Sequence, residues 1–387
     1  DCKGDTWEEM YQEIWLCIRE MVARHENELV DALAKLDPTE INFDKRTPPV
    51  YFADTLKWLT TSLFKHHKKE VIVLIDEYDS PLNCAFRSPN NFYDKASKFF
   101  GKFYSSALKG NSALKKACLM GIVEVRGAGI LSGLNNIQVY SVADEEYSSM
   151  FGFLNSEIVS IVGQDATLLE SIVKWFNGYT IGSNNVINPW SFMSWLKRKK
   201  FASYWVNSAY LDTISTILSP HVKTILAPIF AILSQKKEKY EIAPLKTQVN
   251  YSNTDWDTTS ILHFLVHTGY LTYNVEQNKP FASIPNKEVY IHWEEEVTKL
   301  VKVAFEPQFQ SRLQDSLRDL NTVEIESLMK EMLLFCSFHD VSKQYENPYH
   351  MFYFGCFFVI LHNGNNVIVS SNREAGHGRY DVRIEFR

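Results

Sequence analysis

The chain has 387 residues, of which 45% are apolar and 22% charged, and a formal net charge of -6. That length suits two or three domains, and the apolar share fills a core without disulfide or metal staples. The acidic balance argues against a strong non-specific nucleic-acid binder, which ordinarily shows a basic surface. No apolar run reaches the ~18 residues of a membrane span.

The first residue is Asp1, and Asp-Cys-Lys-Gly-Asp has no initiator Met and no signal-peptide pattern. The expectation is a fragment or processed chain with an intracellular location, cytoplasmic or nuclear. The cysteines are Cys2, Cys17, Cys84, Cys118, Cys336 and Cys356, without a CxxC pair or zinc-finger spacing. They read as reduced thiols, with Cys118 and Cys356 acting as small hydrophobes inside apolar runs.

In chain order, Thr6 to about Leu36 is helical by period, with an apolar stripe from Trp7 and Met10 to Met21 and Val22 and a cap at Asp5-Thr6. Phe52 to Lys65 reads as a second helix. Val71 to Ile75 is a short β-branched run, expected as a central parallel strand covered on both faces. A helix over Asn91 to Lys109 and a second buried strand over Ala117 to Val123 follow, which is the order of an α/β sheet with helical crossovers. Gly127 to Asn136 is a loop, and Glu157 to Phe176 is helical.

Asn188-Pro189-Trp190 caps a helix at Ser191, and Tyr204-Trp205 opens a mostly helical middle region. There, Thr259 to His267 followed by Thr268-Gly269-Tyr270-Leu271-Thr272 reads as helix, glycine turn and strand, the grammar of a winged-helix unit. Helices resume at Trp293 to Phe305, Glu324 to Phe338 and Tyr349 to Leu361, and strands close the chain at Val367 to Ser371 and Tyr380 to Phe386. The basic runs Lys197 to Lys200 and Lys236, Lys237, Lys239 read as solvated helix ends or loops.

Asp76-Glu77 at the end of the first strand is the Walker B pattern. In a P-loop NTPase the Asp stands near Mg²⁺ and the Glu polarises the attacking water, and ligands of open α/β sheets sit at strand C-termini. A solvated turn gives the same two residues, so both readings stand on this ground.

The stretch Val73 to Leu82 (Val-Leu-Ile-Asp-Glu-Tyr-Asp-Ser-Pro-Leu) resembles the Walker B box of the AAA-ATPase-like family found beside PD-(D/E)XK nuclease domains. Gly121-Ile122-Val123, Ile130 to Asn136, Trp175-Phe176-Asn177-Gly178-Tyr179, Asn188-Pro189-Trp190-Ser191, Phe201 to Trp205, Thr268 to Leu271 and Ile284 to Glu288 are similar to later segments of that family, in order. The resemblance implies a P-loop NTPase-like parallel-sheet domain over 1–187, a helical, winged-helix-like middle domain over 188–322 and an incomplete nuclease-like α/β domain over 323–387. Its implied cofactors are ATP and Mg²⁺, with Asp76 as a metal carboxylate and Glu77 as catalytic.

Three departures bear on that. No G-x-x-x-x-G-K-[ST] stretch occurs in the 387 residues, so the backbone amides and lysine that cradle a triphosphate are not in this chain. Met120 stands where the resemblance implies a Thr, and a thioether donates no hydrogen bond. Glu124 and Gly127 occupy positions that are commonly basic in the family. Decay of the nucleotide site and drift at tolerant positions both account for the last two.

The segment Ser370 to Asp381, with Glu346-Asn347-Pro348-Tyr349-His350 before it, resembles the family's nuclease signature "S-N-R-E-x-G-x-G-R-x-D". By resemblance Glu346 and Asp381 are the catalytic carboxylates, Asp381 on Mg²⁺, and Arg373 and Arg379 face phosphate or nucleic acid, or hold Glu374. Glu385-Phe386-Arg387 is a poor E-x-K: Glu385 lies four residues from Asp381 on one strand, about 13 Å away at ~3.3 Å per residue. His350, His362 and His377 lack zinc spacing.

Two functions follow. One is an NTP-dependent, Mg²⁺-dependent DNA nuclease, of which this chain is an inactive fragment. The other is a catalytically degenerate scaffold binding protein or nucleic-acid partners. Neither involves a membrane.

Overall fold

A computed structural model describes residues 4–35, 52–125, 137–206, 211–234, 240–246, 248–249, 256–305, 307–334, 353, 356–357, 367–375 and 378–386. It is a mixed α/β structure, mostly helical, with a small parallel sheet. The chain forms two compact units, Asp1–Val139 with Lys246–Asp255, and Tyr140–Leu245 with Trp256–Arg387. The motif-based division at 187/188 and 322/323 follows sequence segments instead.

In the first unit, α1 (Trp7–Arg24) starts at a capping box. The Glu9 amide donates to Thr6 Oγ1 at 3.3 Å, and the Thr6 amide donates to Glu9 Oε2 at 3.3 Å. Its buried stripe is Met10, Ile14, Trp15, Ile18 and Val22. The single helix expected to Leu36 breaks at His25, and α2 (Glu26–Leu33) follows as a separate helix. A 3₁₀ turn at Phe52–Asp54 precedes α3 (Thr55–His67). Aromatic rings of Trp7, Tyr11, Trp15, Phe52, Phe99 and Phe103 pack edge to face or tilted around this entry, with Phe99 and Phe103 stacked on each other.

Strand β1 (Val71–Ile75) leads into α4 (Ser80–Arg87) and α5 (Tyr93–Leu108), and β2 (Leu114–Leu119) returns parallel to β1. The register pairs Val73 with Ala117, Leu74 with Cys118 and Ile75 with Leu119. The helical crossover expected from the sequence is therefore present. Its burial is not as expected. Val73 is buried, but Ile72 is 57% and Leu74 72% exposed, and Cys118 is exposed beside Leu74. The strand is covered on one face, because α3 and α5 pack against the sheet from the other side of the pleat. β2 also ends at Leu119, short of the expected Val123. Two-residue strands β3 (Glu124–Val125) and β7 (Gln248–Val249) pair in parallel.

The second unit opens with α6 (Asn155–Val162) and α7 (Ala166–Phe176), separated at Gly163, a break in the continuous helix expected there. The hairpin β4 (Tyr179–Ile181) and β5 (Asn184–Val186) leads to α8 (Pro189–Arg198), capped by Asn188, whose Oδ1 accepts from the Ser191 amide at 3.1 Å. Ile158, Ile172, Phe176, Ile187, Phe192 and Trp195 form the core under these helices. Residues 201–206 have no regular structure. Helices α9 (Leu211–Leu218) and α10 (Val222–Ser234), strand β6 (Tyr240–Glu241) and α11 (Thr258–His267) come next. The helix-then-strand order expected after Thr259 is present as α11 with the hairpin β8 (Thr272–Glu276) and β9 (Lys279–Ser283), in a sheet of order β6-β9-β8.

Helices α12 (Lys287–Ala304), α13 (Pro307–Arg318) and α14 (Thr322–Leu334) follow. The final hairpin is longer than the expected strands: β10 (Val367–Ala375) pairs antiparallel with β11 (Gly378–Phe386). The helix expected over Tyr349 to Leu361, the basic run at Lys236 to Lys239 and the loop at Gly127 lie outside the described residues or largely so. Among the described residues, no helix is long and apolar enough to cross a membrane.

Candidate functional site

The end of β1 is held by a short exchange of backbone bonds with the end of β2. The Met120 amide donates to the Ile75 carbonyl at 2.8 Å, and the Tyr78 amide donates to the Met120 carbonyl at 3.0 Å. Asp76 and Glu77 are thereby looped out past the strand end, and both side chains are exposed. Glu77 has φ 51°, the left-handed region, and its amide donates to Asp76 Oδ1 at 2.9 Å. A non-glycine residue there is uncommon, and the turn is closed by the Ser80 amide on the Glu77 carbonyl at 3.0 Å.

The next two residues point the other way, into the core. The Tyr78 hydroxyl donates to the Val123 carbonyl at 2.8 Å and accepts from the Val125 amide at 3.2 Å. Burial raises its pKa above the usual phenol value. The Asp79 carboxylate is buried, and its Oδ2 accepts the amides of Ile122 at 3.1 Å and Val123 at 3.2 Å. Burial pushes the Asp79 pKa up, and the nearby Asp76 charge adds to the rise against the opposing backbone bonds. Gly121 makes this approach feasible: a Cβ there would lie 2.6 Å from Asp79 Oδ1 and 2.7 Å from the Tyr78 ring. The four-residue stretch Asp76 to Asp79 thus presents two acids to solvent and fixes them with two buried side chains.

Sequence reasoning gave Asp76 and Glu77 roles but none to Tyr78 or Asp79. Asp79 stands before Ser80-Pro81, which reads as a helix start and hides its longer-range partners. Met120 is 41% exposed at the tip of β2. Glu124 lies on β3.

A second convergence lies wholly in the other unit. Four of the segments singled out in the sequence meet there. The Asn188 amide donates to the Phe176 carbonyl at 3.2 Å. Gly178, at φ 104°, lies so close to the Pro285 carbonyl oxygen that a Cβ would come within 1.9 Å of it. The Tyr179 hydroxyl sits beside the Asn286 and Asn188 side chains, and burial is the main cause that raises its pKa. Glu288 is buried, and its Oε1 accepts the amides of Tyr204 at 2.6 Å, Trp205, and Val206 at 3.4 Å. Lys287 Nζ lies 4.3 Å from the centroid of the Trp175 ring. These side chains interlock backbone segments of one unit.

The remaining candidates are dispersed. Glu346 lies outside the described residues, as do His350, His362 and His377. Asp381 and Arg379 fall on β11 and Arg373 on β10, where Arg373 is paired in register with Tyr380 and Glu374 with Arg379. Arg383 Nε stands 2.5 Å from Glu385 Oε1, so Glu385 is engaged within its own strand. Among the described residues, no group of three or more His, Cys, Asp or Glu side chains is arranged to hold a metal ion.

Residues 3–131 match the AAA-ATPase-like family model, described as "Predicted AAA-ATPase". A 139-residue stretch is 27% identical to a protein of Azotobacter chroococcum mcd 1 described as "Uncharacterized protein in vnfD 5'region", covering 35% of this chain and 27% of that protein. The matched part thus spans about a quarter of that relative's length. No solved structure matches.

Proposed function

We propose that residues 3–131 are the carboxylate-bearing part of an ATPase-type nucleotide domain, in which Asp76 holds Mg²⁺ and Glu77 orients water. The observation that carries this reading is the loop at the end of β1, where both acids are solvent-facing yet fixed by Tyr78 and Asp79. The family match over the same residues supports it. The donor set fits the ion, since Mg²⁺ takes one or two protein carboxylates when phosphates and water supply the rest. Bound there, the ion would neutralise charge on the phosphate oxygens. The 387 residues contain no G-x-x-x-x-G-K-[ST] cradle for the triphosphate, so the chain's own affinity for Mg-ATP is expected to be weaker than micromolar.

The test is ATP turnover by the complete product of the reading frame that encodes this chain. Asp76→Asn and Glu77→Gln are each expected to lower it at least tenfold, the scale of a lost charge-stabilising or water-orienting group. Unchanged turnover in both variants would remove those roles. Micromolar Mg-ATP binding by residues 1–387 alone would overturn the weak-affinity reading.

For the C-terminal hairpin we propose a PD-(D/E)XK nuclease-like role on the sequence motif, with Glu346 and Asp381 as metal carboxylates and Arg373 and Arg379 toward DNA phosphate. The Arg383–Glu385 pair supports the view that Glu385 is not the missing E-x-K acid. The chain by itself is then expected not to cut plasmid DNA with Mg²⁺. Cutting that survives Asp381→Ala would exclude Asp381 from the chemistry. The scaffold reading is favoured by the Met120 side chain, a thioether that donates no hydrogen bond.

A further inference from the structure

In the second unit, the irregular segment 199–206 joins three helices through its rings. Phe201 stacks on Trp175 of α7 at 6.1 Å and on Trp195 of α8 at 5.4 Å, and Tyr204 packs on Phe176 at 6.3 Å. Glu288 of α12 accepts the amides of Tyr204, Trp205 and Val206. The end of α7, the end of α8 and the start of α12 therefore meet on one aromatic cluster.

Three cations rest on the rings of that cluster. Lys287 Nζ lies 4.3 Å from the Trp175 centroid, Lys199 Nζ 4.9 Å from that of Trp195, and the Arg198 guanidinium 5.3 Å from that of Tyr204. All three residues are exposed, as are Lys174, Lys197 and Lys200 in the same segments. Against these cations, the stretches 171–177, 189–206 and 284–290 hold one acid, Glu288. That carboxylate is buried and engaged by backbone amides, so it is no surface counter-charge. Among the described residues, none of the six cations makes an ion pair with a carboxylate. The whole chain carries a net charge of -6, so the positive excess here is local.

An exposed ring stands beside them. Trp190 is 64% exposed, and its Nε1 donates to the Tyr204 carbonyl at 3.3 Å. Tyr204 thus holds the Trp190 indole at its carbonyl and the Arg198 guanidinium on its ring, and its hydroxyl donates to the Lys200 carbonyl. Cations resting on ring faces are ordered before any ligand arrives, so less side-chain freedom is lost on binding.

We infer that this cluster binds single-stranded nucleic acid, with Arg198, Lys199 and Lys287 on its phosphates and Trp190 stacked on a base. Proteins that hold single strands combine positive charge along the backbone with aromatic faces for the bases, and both occur here on one cluster. An acidic peptide would satisfy the cations but gives the exposed indole no flat partner. In a duplex the bases are already stacked on one another. The inference rests neither on Asp76 and Glu77 nor on the C-terminal hairpin.

The experiment is a fluorescence-anisotropy titration of a labelled oligothymidylate of about 20 nucleotides with residues 1–387. Micromolar binding is expected at about 50 mM salt, weakening steeply as salt rises. Arg198→Gln, Lys199→Gln and Lys287→Gln should each flatten the log–log salt slope by about 0.7, and together by about two. Trp190→Ala should weaken binding about tenfold at every salt concentration and leave the slope unchanged. That split separates phosphate contact from stacking, and thermal unfolding of each variant checks that its fold is intact. Arg373→Ala with Arg379→Ala should leave the affinity in place; binding lost in that variant and kept in the triple Gln variant overturns the inference. So does absence of binding at about 50 mM salt, or a salt slope that the triple variant does not change. Binding to polyglutamate or to duplex DNA of equal length as tight as to the single strand also overturns it.

Discussion

Replacing Asp79 tests how the exposed acids are fixed. Asp79→Ala removes the acceptor of the Ile122 and Val123 amides, at 3.1 and 3.2 Å, and leaves both donors beside a hole. Hydrogen bonds to a charged group contribute about 1.5–3 kcal/mol each. Two bonds sharing one oxygen, less the desolvation cost of the buried carboxylate, give roughly 2–4 kcal/mol. At about 3 °C per kcal/mol for a unit of this size, the midpoint falls by about 6–12 °C. Asp79→Asn keeps an oxygen for the two amides and removes the buried charge, so its cost at neutral pH is expected to stay below about 1 kcal/mol. The two variants also differ in pH response. Burial raises the folded-state pKa of Asp79 above the ordinary 3.8, so the native state holds this proton more tightly than the unfolded state. Its contribution is complete below about pH 4, and it is lost as pH rises through the folded value. Urea unfolding of wild type and Asp79→Asn across that range should show the wild type losing stability relative to the variant as pH rises. A constant difference, or an Asn variant as damaged as the Ala variant, would refute the reasoning.

Gly121→Ala would drive a methyl group to within 2.6 Å of Asp79 Oδ1 and 2.7 Å of the Tyr78 ring, and should cost about 1–3 kcal/mol by urea unfolding. Gly178→Ala meets backbone, the Pro285 carbonyl, at 1.9 Å with φ 104°; a loss of about 3 kcal/mol or more is expected. Gly110→Ala is the control, since φ is 61° with open space around it, and about 1–2 kcal/mol is expected from the left-handed backbone alone. Glu288→Ala strands the amides of Tyr204, Trp205 and Val206, for about 3–5 kcal/mol and early proteolysis at residues 201–206. Glu288→Gln, which keeps an amide acceptor, should recover more than half of that loss.

The strand at Val71–Ile75 and its parallel partner were legible because five apolar, β-branched residues between charged pairs leave few alternatives. Which faces they bury was not legible. A run that is apolar on both sides of the pleat records what a strand can pack against, and only the Val73 side meets α3 and α5. Cys118 was misread for the same reason: it shares the open face with Leu74, its register partner. The break at His25 lies inside an otherwise sound helical period, whereas the one at Gly163 is local: the glycine ends α6 at φ 85° and Asp165 caps α7, its Oδ1 accepting the Leu168 amide at 3.0 Å. The roles of Tyr78 and Asp79 depend on partners more than forty residues away in the chain, which no local spacing encodes.

Sequence resemblance weighs chemistry and architecture alike, and the two convergences separate them. In Asp76 to Asp79 exposure changes halfway: two acids face solvent and two side chains grip the end of β2. That is the arrangement expected where charge must be presented at a fixed place. Around Glu288 the glycine, the cap and the acid of the recognisable segments turn inward, while Trp190 and Lys287 stay exposed. Gly178 yields to a carbonyl, Asn188 caps a helix, and the one carboxylate is consumed by three amides of its own backbone. A buried acid or a left-handed glycine has few substitutes. These residues hold the second unit together, and the case for nucleotide chemistry rests on the first, where residues 3–131 match the AAA-ATPase-like family model.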